Sequence, residues 1–363
     1  MIAGTTEESR MKIGMMSRWN TSCGVSMHTE LVGRAWVEMG HNVKILAPRQ
    51  ETKPLTNQDE PYVVRCYRLS ARERETSRDT HSFDRNPFFE DFDVFVVQNL
   101  EIMPMEHLIS IFPKIKKNAK TVLVIHEGKA PENRSFYEFE FDRVVCFDER
   151  YRDRFLKRIF PQERIHIIPY PCHPLKKGNQ EKARKALGLP LNKRIVFNYG
   201  LGVFRHLHLL PELERLSRRY PLMLLTLTEV QDWYDLFEVA RKRYDFIELR
   251  KGPISTRLLY NYLHASDALI LHKDSTENTV VSSTIYTCLG SGCPILAYDT
   301  NFVENFGEEI IKYKQFSSSL EEVFEGKIRV KMALRKAEEF VRRNSSYEIG
   351  TRFIELFEKL LKS

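Results

Sequence analysis

The chain has 363 residues, of which 42% are hydrophobic and 29% charged, so it is expected to fold into one large or two ordinary domains and not to be a disordered polymer. Its 56 basic and 49 acidic residues leave a net charge of +7, which is compatible with an anionic partner but does not specify one. We expect a cytoplasmic protein with reduced thiols, because no apolar run nears the about 20 residues of a membrane span, residues 1–10 form no signal segment, and the six cysteines contain no CxxC pair.

The first half of the chain alternates short apolar runs with helical patterns. A helix is predicted over residues 27–39, and Gly40 suits a left-handed cap at its end. Continuous apolar runs indicate strands buried on both faces, as in a parallel sheet covered by helices. The predicted strands lie at 11–17, 42–48, 92–98, 120–128, 143–148 and 165–171.

The alternation restarts after a segment rich in Pro, Gly and Lys (residues 169–182), which reads as a linker. Strands are predicted at 194–200, 222–228, 246–252, 267–272 and 294–299, and helices at 207–219, 231–243, 255–265, 283–290 and 346–363. Two successive series of this kind predict an α/β protein with two doubly wound, Rossmann-like domains facing across a cleft. Ligands of such sheets bind beyond the carboxyl ends of the strands.

The loop after the first strand contains Gly24, which would allow a tight turn and close approach of a ligand to the backbone. The following helix N-terminus would attract phosphate or a polarised hydroxyl. The loop is not GxGxxG, so the dinucleotide fingerprint is absent. An ordinary turn is the alternative interpretation of Gly24.

His126 and Glu127 stand where the apolar run 120–125 ends, at the edge where ligands bind. An imidazole there can donate a hydrogen bond to a sugar hydroxyl or accept one. Glu127 could bind a hydroxyl or orient the histidine. The alternative is a strand-end histidine that bonds a loop carbonyl.

In the second half, Gly200 and Gly202 free the backbone after the first strand, and Arg205 offers a planar fork of five donors that fits a diphosphate. A plain surface charge is the alternative for Arg205. His206 and His208 are two residues apart, which does not place them on one helical face, so a metal pair is not expected.

Three consecutive hydroxyl residues, Ser282, Ser283 and Thr284, begin the predicted helix 283–290 after a long polar loop. Such residues cap helices, and the same hydroxyls and amides can hold an anion. Three in a row favour phosphate binding over capping alone.

Two further segments each have a purely structural interpretation and a functional one. Asp91 and Asp93 form the single DxD, which could hold a metal but leads directly into a strand and is interpreted as a strand-entry feature. The basic and apolar stretch at residues 107–120 is interpreted as an amphipathic helix with a solvated lysine face, and contact with an anionic membrane is the alternative.

Most of the chain resembles the retaining glycosyltransferases of the GT-B fold that are called family 4 or glycosyl transferases group 1. The motifs that carry the resemblance are SCGVSMHTELVGRAWVEMGHNVKILAP, TVLVIHEG, RIHIIPYP, KALGLPLNKRIVFNYG and HASDALIL…GSGCPILAYD, in the family's order and spacing. The resemblance implies an acceptor-side domain at residues 1–175, a nucleotide-sugar donor domain at 176–345 and a last helix, 346–363, that packs back on the first domain.

The family also implies roles for matching positions. His126 would contact the donor sugar and Arg205 would neutralise the leaving diphosphate, and these two are the predicted catalytic residues. The predicted donor-binding residues are Gly24, Glu127, Gly200, Gly202, Ser282, Ser283 and Thr284. The chain departs from the family where two Glu are usual, since it carries Thr279 and Thr287 at those positions, and SSTIYTCLGSGCP resembles a variant of that motif.

The sequence therefore predicts a metal-independent, retaining glycosyltransferase of the hexosyltransferase type. Its donor would be a nucleotide sugar and its acceptor a sugar, glycan or lipid-linked hydroxyl, with no cofactor and no nucleic-acid partner. A peripheral location on the inner face of a membrane is the alternative to a free cytoplasmic one. Two other functions stay open: a non-catalytic protein of this fold that binds sugars or nucleotides, which the two threonines motivate, and a sugar-nucleotide epimerase.

Overall fold

The computed structural model describes residues 10–49, 55–69 and 83–363 of the chain. The chain divides into two compact units. The first runs to Pro171 and also includes Ser346–Ser363, and the second is Cys172–Ser345. Sequence analysis places the first boundary at residue 175, within the same linker.

The first unit is built on a seven-stranded parallel sheet with the strand order β3-β2-β1-β4-β5-β6-β7. Its strands are β1 (Lys12–Met16), β2 (Asn42–Pro48), β3 (Val63–Tyr67), β4 (Val94–Gln98), β5 (Lys120–Val124), β6 (Arg143–Cys146) and β7 (Ile165–Ile167). Its helices are α1 (Gly24–Glu38), α2 (Met105–Asn118), α3 (Glu149–Arg154) and the last helix of the chain, α11 (Ser346–Leu361). β4 is buried at every position, as expected of a strand covered by helices on both faces.

The last helix, α11, belongs to the first unit because it packs against α1. The Trp36 ring lies 5.7 Å from Phe353 and 5.4 Å from Phe357 between centroids, and its indole N–H donates to the carbonyl of Gly350. A Cβ at Gly350 would lie 3.1 Å from Cβ of Ala35, so the glycine permits the close approach of the two helices.

The basic and apolar helix α2 has its apolar face covered within the first unit. Leu108, Ile111 and Ile115 are buried, and the Phe112 ring lies 4.9 Å from that of Phe141. The Lys116 ammonium donates to the carbonyl of Glu140. The apolar face of the helix is therefore covered, as the interpretation of an amphipathic helix with a solvated lysine face requires.

The second unit has a six-stranded parallel sheet with the order β10-β9-β8-β11-β12-β13. Its strands are β8 (Arg194–Tyr199), β9 (Leu222–Thr228), β10 (Ile247–Lys251), β11 (Ala268–Leu271), β12 (Ile295–Tyr298) and β13 (Ile311–Tyr313). Its helices are α4 (Gln180–Leu187), α5 (Leu210–Ser217), α6 (Gln231–Arg241), α7 (Thr256–Ala265), α8 (Ser283–Cys288), α9 (Phe316–Phe324) and α10 (Ile328–Arg343). Two parallel sheets with alternating helices confirm the predicted α/β fold class.

Two edge strands, β3 and β13, are not predicted by sequence analysis. β3 is only partly buried over Val63–Arg65, and β13 has three residues, so neither forms a continuous apolar run. A second difference concerns the predicted helix 207–219, whose beginning is a 3₁₀-helix over Val203–Leu209 followed by α5. Pro211, at the second position of α5, fits this late start of the α-helix.

Candidate functional site

Each sheet has a point where the strand order reverses. In the first sheet β1 lies between β2 and β4, and in the second β8 lies between β9 and β11. At such a point the chain leaves one strand toward one face of the sheet and leaves the neighbouring strand toward the other face. This opens a crevice outside the carboxyl ends of the two strands, and ligands of doubly wound sheets bind there. The predicted site residues follow β1, β5, β8 and β11, so they lie at these carboxyl edges.

The prediction that Gly24 lies in a turn between β1 and its helix is wrong. Gly24 is the first residue of α1, and Cys23 is the cap residue, whose sulfur accepts from the N–H of Ser26. Gly24 is not among the glycines with a positive φ, and the left-handed residue of this connection is Asn20, with φ 54°. The carbonyl of Gly24 accepts a 2.7 Å hydrogen bond from the Tyr170 hydroxyl.

A buried polar network fixes Asn20 in that conformation. Its side-chain N–H₂ donates to the carbonyl of Gln58 at 3.0 Å, its side-chain oxygen accepts from Arg34 at 3.0 Å, and its own N–H donates to Glu30. Burial raises the pKa of the Glu30 carboxyl, which the neighbouring Arg34 partly offsets. Asparagine is one of the few residues that tolerates a left-handed backbone, so the network and the turn support each other.

His126 is held by ring contacts and by one side-chain hydrogen bond. Its Nε2 lies 2.9 Å from Oε1 of Gln98, the last residue of β4, so Nε2 carries the proton and Nδ1 is left as an acceptor. Its ring lies 5.1 Å from His28 and 5.0 Å from Phe147, edge to face in both cases. Burial lowers the pKa of His126 to about 3, so the imidazole is neutral at physiological pH.

Glu127 is engaged by the backbone. Its Oε1 accepts from the N–H of Glu101 at 3.1 Å and its Oε2 from the N–H of His126 at 3.0 Å, which ties the loop after β5 to the loop after β4. Burial raises its pKa to about 7. The residue that orients the His126 ring is Gln98, which sequence analysis missed because a glutamine inside an apolar strand gives no motif.

In the second unit, Arg205 lies on the 3₁₀-helix that follows β8 and the turn of Gly200 and Gly202. Gly200 has φ +94°, a conformation that favours glycine, and its carbonyl accepts from the Thr228 hydroxyl of the next strand. The Arg205 guanidinium lies over the Phe204 ring, 4.5 Å from its centroid. Within the described residues Arg205 forms no ion pair.

A second cation, Lys273, was not predicted, and it is near enough to Arg205 for the two charges to interact. It follows β11, and its ammonium lies 4.9 Å from the centroid of the Phe302 ring. Its pKa is lowered, first by burial and then by the charge of Arg205. Lys273 likewise lacks a carboxylate partner in the part of the chain that the structure describes. Two half-buried cations that repel each other form an attractive site for an anion.

His206 joins these two cationic segments. Its Nε2 accepts from the N–H of His272 at 3.1 Å, so Nδ1 carries the proton and donates to the carbonyl of Val203 at 3.0 Å. Burial lowers the pKa of His206 to about 4, which keeps the ring neutral. A neutral ring with both nitrogens bonded to backbone is a structural tie, not a metal ligand.

Ser282 is the cap residue of α8, and Ser283 and Thr284 are its first two residues. Capping, the alternative interpretation, does not account for Ser282, whose side chain makes no capping bond. The Tyr199 hydroxyl lies 3.3 Å from Sγ of Cys288, the last residue of the same helix. The predicted donor-binding role of the three residues stays a prediction.

Other acidic candidates lie elsewhere or are unpaired. Asp93 accepts from the backbone N–H of Lys12 and Asp91 from its ammonium, at the amino end of the sheet, which fits the interpretation as a strand-entry feature. Neither carboxylate oxygen of Glu229, just beyond β9, has a hydrogen-bond partner although both are buried.

The described residues contain no group of three or more His, Cys, Asp or Glu that could hold a metal ion. They also include no helix that is both long and apolar enough to cross a membrane.

Comparison with solved structures finds the same fold over nearly the whole chain, although no protein-family model matches it. Sucrose-phosphate synthase from Thermosynechococcus elongatus is 12% identical with a TM-score of 0.65, covering 97% of this chain and 100% of that one. A glycosyltransferase from Rickettsia africae is 14% identical with a TM-score of 0.67, covering 98% and 100%. The pneumococcal O-GlcNAc transferase GtfA in complex with UDP and GlcNAc is 10% identical with a TM-score of 0.68, also covering 98% and 100%. At these identities the likeness establishes the GT-B type of fold.

Proposed function

We propose that this protein is a retaining glycosyltransferase that moves a sugar from a nucleotide-sugar donor to an acceptor hydroxyl. The observation that carries the proposal is the pair Arg205 and Lys273, two half-buried cations without a carboxylate partner among the described residues, which follow the adjacent strands β8 and β11. A nucleoside diphosphate is the kind of ligand such a pair fits, because its charge offsets both the burial of the cations and their mutual repulsion. The likeness of fold to glycosyltransferases supports the same class.

In the proposed reaction the bond between the anomeric carbon and the β-phosphate oxygen breaks, and its electron pair leaves with the nucleoside diphosphate. The acceptor oxygen bonds to the anomeric carbon on the face that the phosphate leaves, and its proton passes to the departing phosphate oxygen. Negative charge therefore grows on the diphosphate in the transition state. Arg205 and Lys273 would therefore stabilise the transition state more strongly than the ground state. Fixed cations accelerate a reaction in this way.

His126 has a binding role in this proposal. A ring with a pKa of about 3 does not supply a proton at neutral pH, but its unprotonated Nδ1 can accept a hydrogen bond from a sugar hydroxyl. Gln98 orients the ring, and Glu127 holds the loop that carries it. We propose no metal requirement, since the cationic side chains would carry out the charge neutralisation.

The proposal is tested by a thermal-shift panel of UDP-, GDP- and ADP-sugars, followed by transfer assays with the donor that stabilises the protein. We expect Arg205→Ala to lower the transfer rate about 100-fold or more, the usual cost of removing a charge-stabilising donor, and EDTA to leave the rate unchanged. NMR of the product should show the anomeric configuration of the donor. An unchanged rate in Arg205→Ala, or donor conversion without any acceptor, would contradict the proposal.

A further inference from the structure

The guanidinium of Arg205 lies over an aromatic ring and forms no ion pair among the described residues. Its central carbon lies 4.5 Å from the centroid of the Phe204 ring, and a Cβ on Gly202 would lie only 3.3 Å from its Nη1. An aromatic ring attracts the cation through the face of the guanidinium plane, whereas the five N–H donors point outward along the edges. This contact fixes the side chain and leaves its donors for a ligand.

Phe204 is itself supported by a second ring. It stacks on Trp233 with a centroid distance of 4.3 Å and an interplanar angle of 29°. Trp233 is the third residue of α6, the helix that follows β9, whereas Phe204 lies on the 3₁₀-helix that follows β8. The stack of guanidinium, phenyl and indole therefore joins the ends of two neighbouring strands.

We infer that Phe204 and Trp233 are positioning residues that order Arg205 for an anionic ligand before it binds. The inference rests on the proposed function, since it concerns the same diphosphate site. A long arginine side chain loses much rotamer freedom when a ligand orders it, and a side chain that is already ordered avoids that loss at binding. Lys273 has a different aromatic neighbour, Phe302.

The test measures calorimetric affinity for UDP and for inorganic pyrophosphate. Phe204→Leu and Trp233→Leu should each weaken binding roughly two- to fivefold, the size of an exposed to partly buried cation–π contact. Phe204→Tyr and Trp233→Phe keep the rings and should bind as the unsubstituted protein does. Each variant is also melted, so that a loss of affinity is separated from a loss of folding.

A double-mutant cycle distinguishes positioning from a general packing role. In an Arg205→Ala background, where Lys273 leaves residual affinity measurable at millimolar UDP, Phe204→Leu should have no further effect. The matched control is Tyr234→Leu, because Tyr234 neighbours Trp233 on α6 and also lies under a cation, Lys251. That variant should bind UDP normally.

Each outcome has one meaning. If the leucine variants bind normally, or if Phe204→Leu weakens binding equally with and without Arg205, the positioning role is wrong while the proposed function stands. If Arg205→Ala itself binds normally, or if the unsubstituted protein binds none of UDP, GDP, ADP and pyrophosphate, the proposed function fails and this inference fails with it.

Discussion

The backbone N–H of His272 donates a 3.1 Å hydrogen bond to Nε2 of His206, which links the end of β11 to the turn that carries Arg205. The same ring donates through Nδ1 to the carbonyl of Val203, so His206 holds two backbone segments at once. Both cations of the proposed site lie next to this pair in sequence, Arg205 before His206 and Lys273 after His272. The tie between the two histidines therefore joins the backbone segments that carry the two cations.

We expect His206→Gln to destabilise the protein by about 1–3 kcal/mol at pH 7, since a buried N–H or carbonyl loses its partner. The pKa of His206 is about 4 in the folded protein, below the ordinary value of 6.5. Between these pH values the unfolded chain binds more protons, so stability falls as the pH is lowered. Urea unfolding at pH 7 and pH 5 should show that the variant loses less stability on acidification, by up to about 2 kcal/mol. His107→Gln, which changes an exposed histidine on α2 of the other unit, is the control and should keep the full loss.

Lys273→Met should stabilise the ligand-free protein and weaken anion binding. The substitution keeps much of the side-chain volume and removes a charge whose pKa is lowered by burial and by Arg205. We expect a gain of about 1 kcal/mol, or roughly 2–4 °C in Tm for a unit of this size, with at least about tenfold weaker UDP binding. Lys251→Met, which removes the lysine over the Tyr234 ring, is the matched control and should leave UDP affinity unchanged. A Tm below that of the unsubstituted protein would contradict this prediction.

The two glycines before Arg205 should respond differently to alanine. Gly200 has φ +94° with open space around a Cβ, so Gly200→Ala costs about 1–2 kcal/mol of stability through backbone strain. At Gly202 a Cβ would lie 3.3 Å from Arg205 Nη1, so Gly202→Ala should displace the guanidinium and weaken UDP binding with little change in Tm. Thermal melts and calorimetry of both variants test the contrast. Equal effects on Tm and affinity in the two variants would show that the glycines do not have these separate roles.

Asn20 is expected to be the most sensitive polar residue of the β1–α1 connection. Asn20→Gly keeps the left-handed backbone but loses the bonds to Gln58 and Arg34, which should cost about 1–3 kcal/mol. Asn20→Ala should cost a further 1 kcal/mol or more because alanine is strained at φ 54°. Denaturant unfolding of both variants tests this prediction. The free energy of unfolding of Asn20→Gly should be larger than that of Asn20→Ala. The reverse order would mean that the backbone relaxes out of the left-handed region.

Glu229→Gln should raise the stability of the ligand-free protein by about 1 kcal/mol. Both carboxylate oxygens of Glu229 are buried without a hydrogen-bond donor, and a neutral amide is less costly to keep there than a charge. Denaturant unfolding at pH 7 measures the difference, with Glu238→Gln on the partly exposed face of α6 as the control. A destabilised Glu229→Gln would indicate that the carboxylate has a partner in solution.

Much of the architecture follows from local patterns. Strands such as β2 and β9 match the predicted residues 42–48 and 222–228. Their continuous apolar runs are typical of strands that helices cover on both faces of a parallel sheet. The left-handed cap predicted at Gly40 agrees with the structure, whereas the strand predicted at 120–128 ends at Val124, before His126. The turn after β1 was assigned to Gly24, because the left-handed Asn20 depends on partners such as Gln58 that are distant in sequence.

The amino-acid sequence by itself determined two α/β units and the strand ends at which polar residues cluster, because hydrophobic periodicity is a local property. It also identified Arg205 as a candidate cation for a diphosphate. Only the tertiary structure decided that Lys273 is near enough to Arg205 for the two charges to interact, that Phe204 and Trp233 support the Arg205 guanidinium, and that Gln98 orients His126. Trp233, Gln98 and Lys273 each reach their partners from the end of a neighbouring strand that is distant along the chain, and sheet formation brings such residues together.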